Sequence, residues 1–183
     1  MSATVKFFHL LLLAAVIGAA STAWAADPAP AAQPAQTANP SINPVTQAAV
    51  NAGVLACAGR INEVMNFLAA GSQDIRARIF PPVIDPDRRM TAISLEIKSQ
   101  NIPTAYAGAA FAPNQSNGCG ATYEAVAYWA TTCDNVATKQ FALLRQSGTL
   151  GKEITVLDGG PGLAVFLMPA GAGCISIKRE VVQ

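Results

Sequence analysis

The spacing of apolar residues changes sharply between positions 120 and 145. Tyr123, Ala125, Ala127 and Trp129 alternate with Thr122, Glu124, Val126 and Tyr128. A period of two with aromatic and β-branched content predicts a strand over residues 121–129; the alanines also permit a helix there. After Thr131-Thr132 the recurrence turns helical, through Cys133, Val136, Ala137, Phe141 and Leu144. Thr132 is placed to cap that helix, Asp134 falls in its first turn where the helix dipole favours an anion, and Arg145 falls in its last. Gly148 is the expected stop.

Upstream, Asn43-Pro44 supplies a cap residue followed by proline at the first helical position. Val50, Val54, Cys57, Ile61, Val64, Met65 and Leu68 then step by three and four, which predicts one amphipathic helix ending near Gly71. Residues 72–90 mix arginines and aspartates with prolines and read as an ordered loop. Ile93, Leu95 and Ile97 alternate with Ser94, Glu96 and Lys98, a half-buried strand. Further strands are expected over 103–111, 153–157, 163–168 and 174–178, with turn residues at 113–118, 158–162 and 169–173. No internal repeat is evident.

The expected fold is therefore α+β, in the order α-βββ-α-βββ. Short links make the strands antiparallel, giving a sheet of five to six strands with two covering helices. This order loosely resembles the profilin-like and roadblock-like arrangement of a sheet flanked by helices. The resemblance is one of pattern and implies nothing about activity.

The first 25 residues stand apart from this pattern. Lys6 precedes an apolar run from Phe7 to Ala20, and Ala23-Trp24-Ala25 places small residues where a signal peptidase reads. The run is shorter than the ~20 residues of a membrane span, so a cleaved signal peptide is expected, and no stable membrane insertion after it. Residues 26–43, rich in proline and alanine, read as a semi-extended linker, and residues 44–183 as a single disulfide-bonded α+β domain. Cleavage removes Lys6 and His9, leaving equal numbers of acidic and basic side chains and no histidine. A neutral mature chain lacks the clustered positive field that nucleic acid or an anionic membrane requires.

Four cysteines in an exported chain suggest two disulfides. A strand over 121–129 separates Cys119 from Cys133 by roughly 30 Å, which forbids their bond. Alternating the expected strands up and down then puts Cys119 beside Cys174, giving Cys119–Cys174 and Cys57–Cys133. If 121–129 were helical, Cys119–Cys133 and Cys57–Cys174 would return. Cys133 as a nucleophile lacks a histidine base and a CxxC partner, and widely spaced cysteines without histidine do not suit zinc. No cofactor or metal is expected.

Without histidine, Ser-His-Asp and Cys-His mechanisms are excluded. Carboxylates remain, with Glu124 the most interesting and Asp158 or Asp85 as partners for it, a pattern that would suit a histidine-independent hydrolase of cell-wall or sugar substrates. Asp158-Gly159-Gly160-Pro161-Gly162 fits neither phosphate-loop pattern and reads as a hairpin turn. The arginines at 76, 78, 88 and 89 are interleaved with aspartates, and Asn114-Gln115-Ser116 is a sequon by letter lying in a turn. The favoured reading is a non-catalytic periplasmic or secreted binding module, of inhibitor, accessory or immunity type, contacting a protein or small ligand. Period two puts Tyr128 opposite the core-facing Trp129, so Tyr128, Glu124 and Val126 form the candidate binding face. The leader reading predicts that the exported protein begins at Ala26; intact mass of the secreted product checks this, and a product retaining residues 1–25 in the membrane fraction contradicts it.

Overall fold

The computed structural model describes residues 42–182 apart from 73 and 101; the expected signal peptide and nearly all of the expected linker lie outside these. Two helices open the described chain, α1 at Pro44–Asn51 and α2 at Ala58–Ala69, where the apolar stripe predicts one. The Asn43 side chain caps α1 by accepting from the Val45 N–H at 2.9 Å, with Pro44 in the first turn. The stripe is interrupted at Gly53, whose φ of 87° is left-handed and whose α-carbon closely approaches Pro86. Asp87, in a short 3-10 turn at Pro86–Arg88, accepts from the backbone N–H groups of Leu55 and Ala56 and fixes the approach to α2.

Eight strands follow, interrupted by one helix: β1 at Asp74–Phe80, β2 at Thr91–Lys98, β3 at Ala105–Asn114, β4 at Gly118–Trp129, then α3 at Cys133–Gln140, β5 at Arg145–Leu150, β6 at Ile154–Asp158, β7 at Leu163–Ala170 and β8 at Gly173–Val182. They form one antiparallel sheet in the order β1-β2-β3-β4-β8-β7-β6-β5. The α+β class stands. The expected five to six strands with two helices are corrected to eight strands with three helices among the described residues, and the profilin-like and roadblock-like pattern is set aside with them.

The two added strands are β1 and β5. In β1, Ile75 and Ile79 pack against the core while Asp74, Arg76 and Arg78 point outward, so a period of two underlies what reads as a charged loop. In β5 every residue is exposed, and the ladder to β6 shifts register between Gln146 and Gly148. It has no apolar face to announce it. Its first residues fall where the helical reading runs on; α3 itself is capped by Thr132, whose hydroxyl accepts from the Asn135 N–H, and ends at Gln140.

The missed strands also reverse the cysteine pairing. The bonds are Cys57–Cys119 and Cys133–Cys174, with α-carbons 5.1 and 5.0 Å apart, not Cys119–Cys174 and Cys57–Cys133. With β5 present, β8 runs against β4, so Cys174 lies opposite Trp129, at the Cys133 end of the sheet. With β1 present, α2 begins at the Cys119 end. Counting one strand too few in each half inverted both directions.

The corrected topology shows a repeat that the residues do not. Each half is a helix followed by a four-stranded meander, α2-β1-β2-β3-β4 and α3-β5-β6-β7-β8. In each, a cysteine at the helix start is bonded to the second residue of the fourth strand. Ile61, Met65 and Leu68 stand at the same offsets from Cys57 as Ala137, Phe141 and Leu144 do from Cys133, and both sets pack into their own half's core. The halves join through β4 and β8.

All three helices lie on one face. The core of the first half sets Ile61, Val64, Met65 and Leu68 of α2 against Ile93, Leu95, Phe111 and Tyr123. The second core is thinner, setting Val136 of α3 against Leu157, Val165, Leu167 and Cys174. Burial of such side chains contributes about 1.5–3 kcal/mol each, so the second half has less to hold it. Each disulfide closes a long loop, 62 and 41 residues in sequence separation, which in the chain-entropy model is worth about 4 kcal/mol. Peptide mapping without reduction is expected to recover Cys57–Cys119 and Cys133–Cys174. The Cys133→Ser/Cys174→Ser variant is expected to lose roughly 3–4 kcal/mol in denaturant unfolding, with hydrogen exchange quickening in β5–β7 before β1–β3.

Candidate functional site

Pairing partners in an antiparallel sheet share a face, so the register assigns every outward side chain. Tyr123 pairs with Glu180 and Val165 with Lys178, which places the odd positions of β4 and β7 and the even positions of β8 under the helices. Tyr123 is 2% exposed there, its hydroxyl donating to Glu180. Burial, first, and the neighbouring Glu180 carboxylate, second, push its ionisation far above the ordinary tyrosine range. Lys178 caps this cluster with its amine 4.6 Å from the Phe67 ring centroid and 3.5 Å from Glu180. Trp129 also faces the helices and donates its indole N–H to the Ser176 hydroxyl at 2.8 Å.

The opposite face carries the sequence-predicted residues Glu124, Val126 and Tyr128, and among the described residues no helix lies against it. Their neighbours come from β8, β7, β6 and β5, elements far away in sequence. Val126 pairs with Ile177, Ile177 with Phe166, and Phe166 with Val156, forming one continuous apolar row across four strands. Tyr128, Ile175 and Met168 form the next row, continued by Ile154 and Leu150. Tyr128 and Leu150 are 49% and 60% exposed, and the others between them are half-buried against one another.

A third row borders these two. Glu124 pairs with Arg179, Arg179 with Ala164, Ala164 with Asp158, and Asp158 with Arg145. Glu124 meets Arg179 at 3.4 Å and Arg145 meets Asp158 at 3.2 Å, so the border alternates in sign along its length. Glu124 and Arg179 lie equally far beyond Cys119 and Cys174, which puts their pair at the centre of the molecule's internal two-fold relation.

The apolar character stops at β4. Beyond it, Val126 is followed in its row by Tyr106, Glu96 and Arg76, and Glu124 by Gly108, Ser94 and Arg78. The Tyr106 ring lies down over Gly108 with its hydroxyl 3.0 Å from that of Ser94. Small residues there, Ala92, Gly108 and Ala110, leave an open depression of about 320 Å3 that reaches Glu124 and Arg179. The uncovered face thus carries contiguous apolar rows over the second half, while over the first its outward residues are mostly charged, polar or small, with Phe80 exposed alone on the edge strand under Arg78.

Glu124 and the carboxylates considered with it are not brought together. Glu124 and Asp158 share a row but are three strand spacings apart, roughly 14 Å, and each is held by its own arginine. The Gly160 N–H, which donates to Asp158 at 2.8 Å, and then Arg145 keep the Asp158 carboxyl below the ordinary range, the wrong direction for a general acid. Asp85 sits in the left-handed conformation before the 3-10 turn. The Asp158–Gly162 segment is the β6–β7 hairpin turn, and Asn114 accepts from the Ser116 and Asn117 N–H groups in the β3–β4 turn. Among the described residues no group of three or more histidine, cysteine or acidic side chains is placed to hold a metal ion.

Phe166, Met168, Ile175 and Ile177 are the site residues that sequence reasoning missed. The signal was present in β7, where Val165 and Leu167 on one face and Phe166 and Met168 on the other are all apolar, as in a strand buried on both sides, yet among the described residues no helix covers the second face. No protein family matches this chain, and no curated protein or solved structure matches it.

Tyr128 is positioned by a glycine. Its phenol lies over Gly173, where a β-carbon would overlap both the tyrosine hydroxyl and the Trp129 carbonyl. Because one of the overlapped atoms is backbone, the site has little room to relax. Gly173→Ala is expected to destabilise the protein by about 2–4 kcal/mol and to disturb Tyr128; a thermal melt and the tyrosine resonances by NMR check both.

Proposed function

We propose that this protein is an exported, non-catalytic binding module that recognises another protein through the uncovered face of its sheet. The observation that supports this is the double apolar row Val126-Ile177-Phe166-Val156 and Tyr128-Ile175-Met168-Ile154-Leu150, contiguous, solvent-facing and flanked by charge. The largest contiguous apolar patch on a monomer, above all one rimmed by polar residues, is often functional, whereas apolar residues scattered singly are ordinary surface. Tyr128 is the natural anchor, large, aromatic and held in place by the contact over Gly173. Two disulfides, and no helix among the described residues long and apolar enough to cross a membrane, fit the periplasm or the extracellular space.

The fold does not use these side chains for its cores, so binding and stability separate. Tyr128→Ala and Phe166→Glu are each expected to shift the melting temperature by less than about 4 °C while lowering partner affinity by 2 kcal/mol or more, about thirtyfold. Co-purification followed by titration calorimetry measures both. A large fall in melting temperature for Tyr128→Ala would make it a structural residue and remove the anchor.

A further inference from the structure

The apolar stripe has a definite shape, and the shape selects the kind of partner. It is five strands long, about 20 Å at ~4.8 Å per strand, and two outward residues deep, about 10–12 Å including side chains. Its footprint is therefore on the order of 250 Å2, well short of the ~800 Å2 per partner of a standard stable interface. A second copy of the chain laid face to face would bring the same small footprint and would set the Tyr106, Glu96 and Arg76 region against protein as well. A single α-helix fits instead: its diameter is about 10–12 Å, and about 13 residues, under four turns, cover 20 Å.

The charged border supports the same occupant. Glu124, Arg179, Asp158 and Arg145 run along one long side of the stripe in alternating sign. A helix resting on the stripe presents one flank to this row, with residues recurring every 5.4 Å, close to the strand spacing. We infer that the uncovered face docks one amphipathic α-helix of a partner protein, lying across β4, β8, β7, β6 and β5, with apolar residues at i, i+3, i+4 and i+7 on the stripe and acidic and basic residues alternating on the flank beside Glu124 and Arg179. Helix-in-groove recognition of this type reads an apolar stripe through a few anchors. This rests on the binding reading above and adds the partner's secondary structure and charge pattern.

The test uses the full exported chain in its own cells, with photoreactive p-benzoylphenylalanine in place of Ile175, at the centre of the stripe, and in place of Ser94 on the polar half as a control. After irradiation, the adduct is isolated and the cross-linked peptide sequenced. A discrete protein adduct from position 175 and none from position 94 is expected, its attachment point lying in a segment of helical apolar period with both charge signs on one flank. Phe166→Glu in the same background is expected to reduce the adduct at least tenfold while the protein melts as before. A partner segment with a period of two, or with no period, overturns the helix and leaves the binding reading standing. No adduct, a lipid adduct, or an adduct of twice the chain's own mass overturns both.

Discussion

The ladder between β4 and β8 is the constraint on which the molecule depends. It joins two four-stranded meanders through nine register pairs, Ala121–Val182 to Trp129–Cys174, and nothing else of comparable extent connects them. Each meander brings its own helix and its own cross-link from helix start to fourth strand. Antiparallel pairing across the junction therefore has two consequences. It places Glu124 against Arg179 at the centre, and it forces α2 and α3 onto the same face. Among the described residues, the sheet of eight strands has one face covered by all three helices and the other bare.

What the bare face carries is then a matter of sequence choice, and the two halves choose differently. In the first half, Arg76, Arg78, Glu96 and Ser94 stand outward, with alanines and a glycine between them. An edge strand such as β1 is protected by its charges against pairing with another chain. In the second half, Ile175, Ile177, Phe166 and Met168 stand outward instead. The thinner core beneath them gains nothing from these side chains, because they lie on the far side of the sheet from Val136, Leu157 and Val165. A solvated face needs only threonine, serine or lysine. The packing of the cores does not explain the apolar rows, and this is what supports the proposed binding face.

Much of this is legible in the sequence. The strand through Tyr123 and Trp129, the Asn43 and Thr132 caps, the β6–β7 turn and the exposed side of Tyr128 all follow from local periodicity and local hydrogen bonding. What failed was counting. Arg145 to Leu150 has no apolar alternation, since an edge strand exposed on both faces needs only backbone pairing to β6. Asp74 to Phe80 does alternate, but its outward arginines and the prolines just past it resemble a loop. One helical stripe divides into two helices at Gly53, which takes a left-handed conformation where Pro86, more than thirty residues away, leaves no room for a side chain. Each error was local, but strand direction is a parity, so one missing strand per half was enough to exchange both disulfide partners. The repeat stayed hidden because only the cysteines and the helical core spacing survive in it.

The choice between a binding module and a carboxylate enzyme turns on what the charged groups are already doing. A catalytic pair of carboxylates must share a cleft, and one of them must hold a proton near neutral pH. Glu124 and Asp158 lie in an open row, each against an arginine, and the backbone and arginine contacts at Asp158 favour its charged form. The buried group with the largest perturbation, Tyr123, is on the helix side, enclosed by Phe67, Lys178 and Glu180. Its raised ionisation follows from burial and a neighbouring negative charge, a structural cause sufficient in itself. The electrostatics on the open face, by contrast, are arranged as a border, with signs alternating along one side of an apolar stripe. Charges so placed would exclude mismatched partners and fix the register of the right one, which is why the open face favours the proposed binding module over the carboxylate enzyme.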